Sequence, residues 1–471
     1  MHLRRLALAT FAAPLLFAAC SSDGGGQRPT ELGNGSPESP DTTTPGTGDG
    51  VGNPVGSNEG PGTPVLQPGT GPGVGEGGEP TVPVGTAPAG SVENSGAACV
   101  VAPLPEGNTL PVTTGLPDPF TRLDGTRIAA KSDWTCRREE ILQQTFKYIY
   151  GAKPPKPESV TGTVSNTQVS VNVEHNGQTR SFSAAVTLPE GEGPFPAVIA
   201  FGGGGAATQM AARGVAVIRF NQGDVGGGNA GLFGELYGAN SAGNLAAWAW
   251  GASRIIDVLE TDSTIIDSKR LAVTGCSFLG KAALAAGALD QRFALVVPVE
   301  SGIGGVPSYK LTPVIEPNPT GAGDGPEQPQ HAINNAWLPQ GSLVGDFGRL
   351  PVDTHEVLGL IAPRGLLILG NTGGQGMYYK NLDFRTEYAT AIAGKEIFTA
   401  LGYTDNISYD SRNVMHCQYN AGSDTILSAN VDKFLKGGSS TTGTFTTDWE
   451  GVRTDPAQYI NWTTPTLEGE L

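Results

Sequence analysis

Several kinds of residue are scarce in this chain of 471 residues, and each scarcity excludes a class of protein. Lys and Arg number 29 against 45 Asp and Glu, for a formal charge of −16, and no basic cluster is visible. Nucleic-acid binding needs clustered cations opposite the phosphates, so we exclude it. The chain has five His and five Cys, none at metal-ligand spacing. After the N-terminal segment, no apolar run is long enough for a transmembrane helix.

Aromatic residues are missing from residues 21–90, where 20 Gly and 12 Pro make up almost half of the segment. Such a composition cannot bury enough apolar surface to offset the entropy that the backbone loses on ordering. We therefore predict a disordered Gly/Pro/Ser/Thr linker over residues 20–95. Residues 96–471 are ample for one large domain with a buried core.

Residues 1–19 have the pattern of a signal peptide. Arg4 and Arg5 form a basic start, and the apolar stretch Leu6–Ala19 is too short to span a bilayer. Small residues stand directly before Cys20, which resembles the processing site of bacterial lipoproteins. We expect a cell-envelope protein anchored to the outer membrane through lipid on Cys20, facing the periplasm or the exterior. Ordinary secretion is the alternative.

Four cysteines remain once Cys20 is assigned to the anchor, and an even number in an exported protein indicates disulfides. They are Cys99, Cys136, Cys276 and Cys417. Three pairings are possible. The pairing of Cys99 with Cys136 would close a loop at the start of the domain, and that of Cys276 with Cys417 would join distant parts of the chain.

Short apolar strands alternate with helices through the centre of the chain. Strands are predicted at residues 196–201, 215–220, 270–274, 294–298 and 365–369, with helices at 245–259 and 281–289. This alternation predicts an α/β fold with a mostly parallel, doubly wound sheet. A helix at 134–150 and a strand pair at 161–173 and 179–188 precede it. Ligands bind beyond the carboxyl ends of such strands, so the chemistry is expected there.

Ser277 follows the strand at 270–274, within Gly275-Cys276-Ser277-Phe278-Leu279-Gly280. A serine on a glycine-flanked turn between strand and helix is the arrangement of a nucleophile elbow, where small neighbours permit a strained turn that exposes the hydroxyl. The spacing Gly-x-Ser-x-x-Gly is one residue longer than the usual signature. A purely structural glycine turn is therefore the alternative.

A serine nucleophile needs a base, and His416 lies after the last predicted strand, where this fold class places it. Cys276 precedes the serine and Cys417 follows the histidine, so a disulfide between them would tie the two together. Two carboxylates compete for the acid that orients the histidine. Glu300 ends the strand at 294–298, and Asp353 lies two residues before His355. The residues by themselves leave this choice open.

These segments together resemble the glucuronoyl esterases over about residues 97–465. The resemblance is carried by Thr274-Gly275-Cys276-Ser277, Gly280-Lys281, Pro298-Val299-Glu300-Ser301-Gly302, Leu350-Pro351 with Asp353 and His355-Glu356, Ile361-Ala362-Pro363-Arg364, and His416-Cys417. It implies an α/β-hydrolase, a three-layer sandwich without metal or cofactor. The expected substrate is glucuronoxylan, cleaved at esters between 4-O-methyl-glucuronic acid and lignin alcohols.

The resemblance also implies roles for single residues. Ser277 is the expected nucleophile, His416 the base and Glu300 the acid, and the disulfides are Cys99–Cys136 and Cys276–Cys417. Lys281 stands where the family has a lysine that contacts hydroxyls of the uronate ring. A cation in the first turn of a helix is disfavoured by the helix dipole, which independently indicates a ligand there.

Further substrate contacts are implied less directly. The family's glutamate, upstream of a tryptophan, falls near Asn334 before Trp337, and Trp337 fits a loop anchor equally well. Its glutamine partner is Gln328 or Gln330. A second tryptophan of the family is replaced near Tyr378.

One departure from the family concerns the oxyanion. The family usually has Arg after the serine, and this chain has Phe278. We expect the backbone N–H of Phe278 to bind the oxyanion, together with one from the loop at 202–205, Gly203 being the candidate. Losing one donor costs on the order of 10²–10³ in turnover. Two alternatives follow: a related esterase of acetylated polysaccharide, and a catalytically weak lipoprotein that binds polysaccharide.

Overall fold

The computed structural model describes residues 92–228, 231–239, 241–315, 327–372, 384–448 and 455–471. The predicted signal peptide, Cys20 and all but the last residues of the predicted linker lie outside these ranges. Among the residues described, no helix is both long and apolar enough to cross a bilayer.

Ten strands in the described ranges form one sheet, in the order β1-β2-β3-β5-β4-β6-β7-β8-β9-β10. The strands are β1 (Ser159–Val164), β2 (Gln168–His175), β3 (Gln178–Thr187), β4 (Phe195–Phe201), β5 (Ala216–Phe220), β6 (Ile266–Cys276), β7 (Phe293–Val299), β8 (Gly365–Asn371), β9 (Ile407–Arg412) and β10 (Phe445–Thr447). From β5 to β10 every neighbouring pair is parallel, whereas β1, β2 and β3 extend the sheet with antiparallel pairs. The mostly parallel sheet is confirmed.

Helices cover both faces of the sheet. They are α1 (Lys131–Thr145), α2 (Ala207–Ala211), α3 (Gly231–Tyr237), α4 (Asn244–Leu259), α5 (Phe278–Leu289), α6 (Thr312–Ile315), α7 (Pro329–Asn334), α8 (Thr354–Gly359), α9 (Phe384–Ala400) and α10 (Asp424–Lys436). Alternate residues of a strand point to opposite faces. In β4, Ile199 and Phe201 belong to the core that includes α4 and α5, whereas Val198 and Ala200 pack with α2 and α10. This is the predicted three-layer sandwich.

Two predicted elements differ from the observed ones in more than their bounds. The predicted strand at 161–173 is two strands, β1 and β2, joined by a turn in which Ser165 N–H donates to the Gln168 carbonyl (2.9 Å). Ser165 and Asn166 are turn-forming residues, but β-favouring residues continue on both sides of them and hide the turn. The predicted helix at 134–150 begins at Lys131, and its last turn, Phe146–Tyr150, is π-helical.

Glu93 joins the described N-terminal residues to the domain at the amino ends of the strands. Its carboxylate pairs with Lys153 and with Arg254, the latter at 2.7 Å. The residue after it, Asn94, accepts a hydrogen bond from the Arg138 guanidinium (2.8 Å). The packed domain therefore includes Glu93, which precedes the predicted boundary at residue 96.

Candidate active site

Ser277 lies in a tight turn between β6 and α5, with φ of 60°. Positive φ is uncommon for a residue with a side chain and stores strain. The turn is fixed by the Ser277 N–H, which donates to the Val299 carbonyl of β7 (2.9 Å). A Cβ at Gly275 would lie 2.3 Å from the Leu279 carbonyl, and one at Gly280 would lie 2.4 Å from the Val299 carbonyl. Both glycines are therefore required for the helix to start this close to the sheet.

Glu300 and His416 are joined directly, although 116 residues separate them. Glu300 follows β7, is 2% exposed, and its Oε2 accepts a hydrogen bond from His416 Nδ1 (2.7 Å). The same oxygen accepts the backbone N–H of Cys417 (3.0 Å). A histidine that carries its proton on Nδ1 has an unprotonated Nε2, which is the form that a general base requires.

Ser277 and His416 line one cavity of about 570 Å³ at the carboxyl ends of the strands. The remaining walls are formed by Gly202, Gly203, Gly204, Gly205, Thr208, Gln209, Cys276, Phe278, Leu279, Cys417 and Tyr419. The structure thus brings a serine, a histidine and a carboxylate from three separate loops to one edge of the sheet. This set can perform nucleophilic acyl transfer.

Both expected disulfides are present. Cys99 is bonded to Cys136 with a Cα–Cα distance of 5.4 Å, and Cys276 is bonded to Cys417 with a Cα–Cα distance of 5.7 Å. The second bond links the residue before Ser277 to the residue after His416. Among the residues described, Cys276, Glu300 and Cys417 are the one group close enough to hold a metal ion, and the two sulfurs are joined in this disulfide.

Backbone strain is concentrated in the loops that contain Ser277, Glu300 and Cys417. Six described non-glycine residues have positive φ, and three of them are Ser277 (60°), Glu300 (46°) and Cys417 (59°). The Glu300 backbone is fixed by its N–H, which donates to the Leu369 carbonyl (2.8 Å). Such conformations persist where the surrounding structure determines them, and they cluster at functional sites.

Asp353, the competing acid, lies elsewhere and is fully buried. Its carboxylate caps the start of α8 and accepts five hydrogen bonds. The donors are Ser308 Oγ (2.6 Å), the backbone N–H groups of Tyr309 (3.0 Å), Lys310 (3.0 Å) and Thr354 (2.6 Å), and Thr354 Oγ1 (3.3 Å). These bonds make Asp353 a structural carboxylate.

His355 is buried as well, and its Nε2 donates to the Pro117 carbonyl (2.9 Å) while its ring stacks on Trp462. Burial lowers the pKa of this imidazole to about 4. His355 is therefore neutral at ordinary pH and serves the packing.

Lys281 lies one helical turn after Ser277 and is almost completely buried. Its ammonium group donates to the Ser301 carbonyl (2.6 Å) and to Glu327 Oε2 (2.8 Å). It also lies 4.5 Å from the ring centroid of Trp337, a cation–π contact. Lysine, carboxylate and indole thus form one polar cluster, whose lysine lies one turn along α5 from Ser277.

Asn334 is not part of this cluster. It is exposed, and its side-chain oxygen accepts a hydrogen bond from Gln330 Nε2 (2.9 Å). The carboxylate beside Lys281 is Glu327, which the sequence reasoning missed because it searched close to Trp337. Glu327 is the nearest acidic residue before Trp337, and that signal could have identified it. Tyr378 lies outside the described residues.

The two expected oxyanion donors have different surroundings. Phe278 is the first residue of α5, so its backbone N–H has no partner inside the helix. Its side chain is 38% exposed, with the ring 6.2 Å from that of Trp248. Gly203 lines the cavity, but its N–H donates to the Ala200 carbonyl (3.3 Å). The backbone N–H of Gly203 is therefore already engaged in the turn after β4.

Comparison with known proteins agrees with this geometry. A family model described as glucuronyl esterase, fungi, matches residues 171–402. A 4-O-methyl-glucuronoyl methylesterase of Schizophyllum commune is 36% identical over 374 residues, which are 75% of this chain and 91% of that protein. One of Podospora anserina is 39% identical over 345 residues, or 70% of each chain.

Solved structures lead to the same family. The glucuronoyl esterase catalytic domain of Hypocrea jecorina has a TM-score of 0.68 and 32% identity, covering 78% of this chain and all of that one. A serine-to-alanine mutant of the Sporotrichum thermophile glucuronoyl esterase, in complex with methyl 4-O-methyl-β-D-glucopyranuronate, has a TM-score of 0.70 and 32% identity, covering 79% of this chain and all of that one. The chain described here belongs to the glucuronoyl esterase family of carboxylesterases.

Proposed function

We propose that this protein is a serine esterase that cleaves esters of 4-O-methyl-glucuronic acid in glucuronoxylan. The observation that carries the proposal is the Glu300–His416 hydrogen bond beside the cavity that His416 shares with Ser277. The names of the relatives and the methyl uronate bound to one of them support this substrate class.

The reaction begins with attack of Ser277 Oγ on the ester carbonyl carbon. His416 Nε2 takes the serine proton, and Glu300 stabilises the imidazolium that forms. The negative carbonyl oxygen accepts the N–H of Phe278 at the positive end of α5. His416 then returns the proton to the alcohol oxygen as the carbon–oxygen bond breaks. Water hydrolyses the acyl-enzyme by the same steps and releases the uronic acid.

The Lys281 cluster is the proposed site for the sugar ring. Lys281 donates to ring hydroxyls, Glu327 accepts from them, and Trp337 offers a flat apolar face. The Lys281–Glu327 ion pair has no net charge, so the cluster is suited to an uncharged uronate ester. Glu327→Gln is expected to raise KM more than it lowers kcat.

We infer an exported protein. The two disulfides support this compartment, since such bonds persist in oxidising surroundings. The anchor at Cys20 belongs to the same proposal. We expect the full chain to partition into the detergent phase and the Cys20→Ala variant to lose this partition. Equal partition of the two proteins would contradict the anchor.

The central test is Ser277→Ala assayed on the methyl and benzyl esters of 4-O-methyl-glucuronate. We expect kcat to fall by about 10³-fold or more, because the nucleophile is lost. Ser263→Ala, which alters an exposed serine at the amino end of β6, is the matched control and keeps full activity. Undiminished hydrolysis by Ser277→Ala would overturn the proposal.

The same assay with acetylated xylan tests the substrate class. A clear preference for the acetyl ester would show that the enzyme acts on an acyl group other than the uronate. Phe278→Arg restores the guanidinium that the family usually has, and we expect it to raise kcat by about tenfold or more on the methyl uronate ester. A decrease would mean that Phe278 is suited to a different role.

A further inference from the structure

The position after the nucleophile carries no charge in this chain. Phe278 follows Ser277, so this position offers the oxyanion a backbone N–H and an apolar ring. A guanidinium group there would have bound the oxyanion through charge-assisted hydrogen bonds, which are about twice as strong as those between neutral groups. A cation that replaces it has to reach the same cavity from another element of the fold.

The glycine loop at 202–205 does not make up for the missing charge. Its first three N–H groups are already bonded to carbonyl oxygens: Gly202 to Phe220 (2.9 Å), Gly203 to Ala200 (3.3 Å) and Gly204 to Phe201 (3.3 Å). Within the described residues, the N–H of Gly205 is the one in this loop that has no such bond. The loop therefore offers the oxyanion at most one backbone donor, and that donor is neutral.

Arg219 lies against this loop. It is the fourth residue of β5, and a Cβ built on Gly203 would lie 2.7 Å from Arg219 Nε and 2.8 Å from its Cζ. The guanidinium group thus packs directly on the Gly203 backbone. Gly203 itself lines the cavity that contains Ser277. The absence of a side chain at Gly203 therefore leaves room for a cation at the cavity wall.

The sheet directs Arg219 to this place. Its partners on the neighbouring strands are Ala185 of β3 and Ala200 of β4, both of them small. Two residues earlier in β5, Val217 packs in the core on the face that α2 covers, and residues two apart in a strand point to the same face. Arg219 therefore lies on the side of α2, two of whose residues line the cavity.

The guanidinium group of Arg219 is available to bind an anion. Its side chain is exposed, and among the arginines that the structure describes it is the one without a hydrogen-bond or ion-pair partner. Asp224, the first acid after it in the chain, accepts a hydrogen bond from Asn221 Nδ2 instead (2.9 Å). In a chain with a formal charge of −16, this arginine remains unneutralised beside the catalytic serine.

We propose that Arg219 binds the oxyanion and so replaces the arginine that the family usually has at the position of Phe278. The inference rests on the proposed function. As Ser277 Oγ attacks, the electron pair of the carbonyl bond moves onto the oxygen, and Arg219 donates a guanidinium N–H to it. The charge disappears when the carbonyl re-forms and the alcohol leaves, so Arg219 neither gains nor loses a proton.

This contact is expected in the transition state rather than in the ground state. Arg219 does not line the cavity itself, and its flexible side chain has to rotate past Gly203 to reach the oxygen. An interaction that forms only as charge develops raises kcat and leaves substrate affinity almost unchanged. The Arg219 side chain should therefore affect kcat and not KM.

The first test is Arg219→Gln assayed on methyl 4-O-methyl-glucuronate, a substrate without a second acidic group. We expect kcat to fall by about ten- to a hundredfold at similar KM, less than for a fully buried oxyanion donor because Arg219 is exposed. Arg219→Lys keeps the charge and should lose less. Lys269→Gln removes an exposed cation from the amino-terminal half of β6 and is the matched control, which keeps its kcat.

The second test repeats Arg219→Gln in the Phe278→Arg background. The restored guanidinium then supplies the charge, so loss of Arg219 should lower kcat by less than about threefold. Equal fold-losses in the two backgrounds, unchanged kcat in Arg219→Gln, or a rise in KM at constant kcat would overturn the inference. Thermal unfolding should match wild type, because Arg219 is exposed and unpaired. Failure here leaves the proposed function standing, since Ser277→Ala tests that function separately.

Discussion

The two carboxylates that competed for the role of catalytic acid, each considered with a histidine, have opposite uses. Glu300 and His416 are far apart in the chain and share a 2.7 Å hydrogen bond. Asp353 and His355 are two residues apart, yet each bonds to other groups, Asp353 to backbone N–H and His355 to a carbonyl. Closeness in sequence therefore does not make a catalytic pair.

Burial explains the difference between the two regions. Asp353 and His355 are completely buried, so neither reaches a substrate. Glu300 is also buried, but its partner His416 is half-buried and lines the cavity with Ser277. A catalytic acid is shielded from water while the histidine that it orients meets the substrate.

Glu300→Gln should abolish most of the activity and leave the fold intact. The amide donates where the carboxylate accepts, so His416 loses the partner that fixes its tautomer, and we expect kcat to fall by about 10³–10⁴-fold. Steady-state kinetics on the methyl uronate ester measure this, with thermal unfolding to show that the variant is folded. Activity within tenfold of wild type would remove Glu300 from the catalytic set.

Removal of the Cys276–Cys417 disulfide should affect both stability and rate. The bond closes a loop with a sequence separation of 141 residues. Chain entropy then predicts a loss of about 5 kcal/mol in the free energy of unfolding for the double Ser variant. Release of the His416 loop lowers kcat as well. Cys99→Ser with Cys136→Ser is the matched control, and it should lose stability while the folded enzyme keeps its kcat.

Asp353→Asn is expected to have the opposite effect to Glu300→Gln, a loss of stability with little loss of activity. The amide cannot accept every hydrogen bond that the buried carboxylate does, so we expect a loss of about 4 kcal/mol in the free energy of unfolding. The kcat of the folded fraction should change less than about threefold, because Asp353 does not touch the site. Urea unfolding and kinetics on the same preparation separate the two effects. A large fall in kcat at unchanged stability would reverse the assignment.

His355 makes stability depend on pH. Its pKa is lowered to about 4 by burial, against about 6.5 in the unfolded chain. Between these values the unfolded chain binds the additional proton, so the contribution is complete above pH 6.5 and is lost as the pH falls towards 4. The unfolding free energy of wild type, relative to His355→Gln, should fall by about 3 kcal/mol over this window. Parallel urea titrations check this, and identical pH slopes would contradict it.

Much of the sheet and the nucleophile turn could be predicted because their causes are local. Alternating apolar strands and helices are readable from periodicity, and the glycines around Ser277 are readable from spacing. The turn at 165–167 was missed because β-favouring residues continue on both sides of it. The role of Glu300 was open on residues alone, since it depends on where a loop 116 residues away returns.

The substrate cluster shows the same limit. Lys281 was predicted from its place one turn after Ser277, which is a local relation. Glu327 was not, because a loop brings it to the ammonium group from 46 residues away. The engagement of the Gly203 N–H in a turn likewise depends on backbone geometry that composition does not reveal.

Sequence alone was enough to predict the layered α/β fold, the strained serine turn and the cysteines beside Ser277 and His416, because steric and periodic constraints act between neighbours in the chain. Two pairings follow only from the packed loops: Glu300 rather than Asp353 meets His416, and Glu327 rather than Asn334 meets Lys281. These choices rest on hydrogen bonds and burial, which exist only once loops distant in sequence are packed at one edge of the sheet.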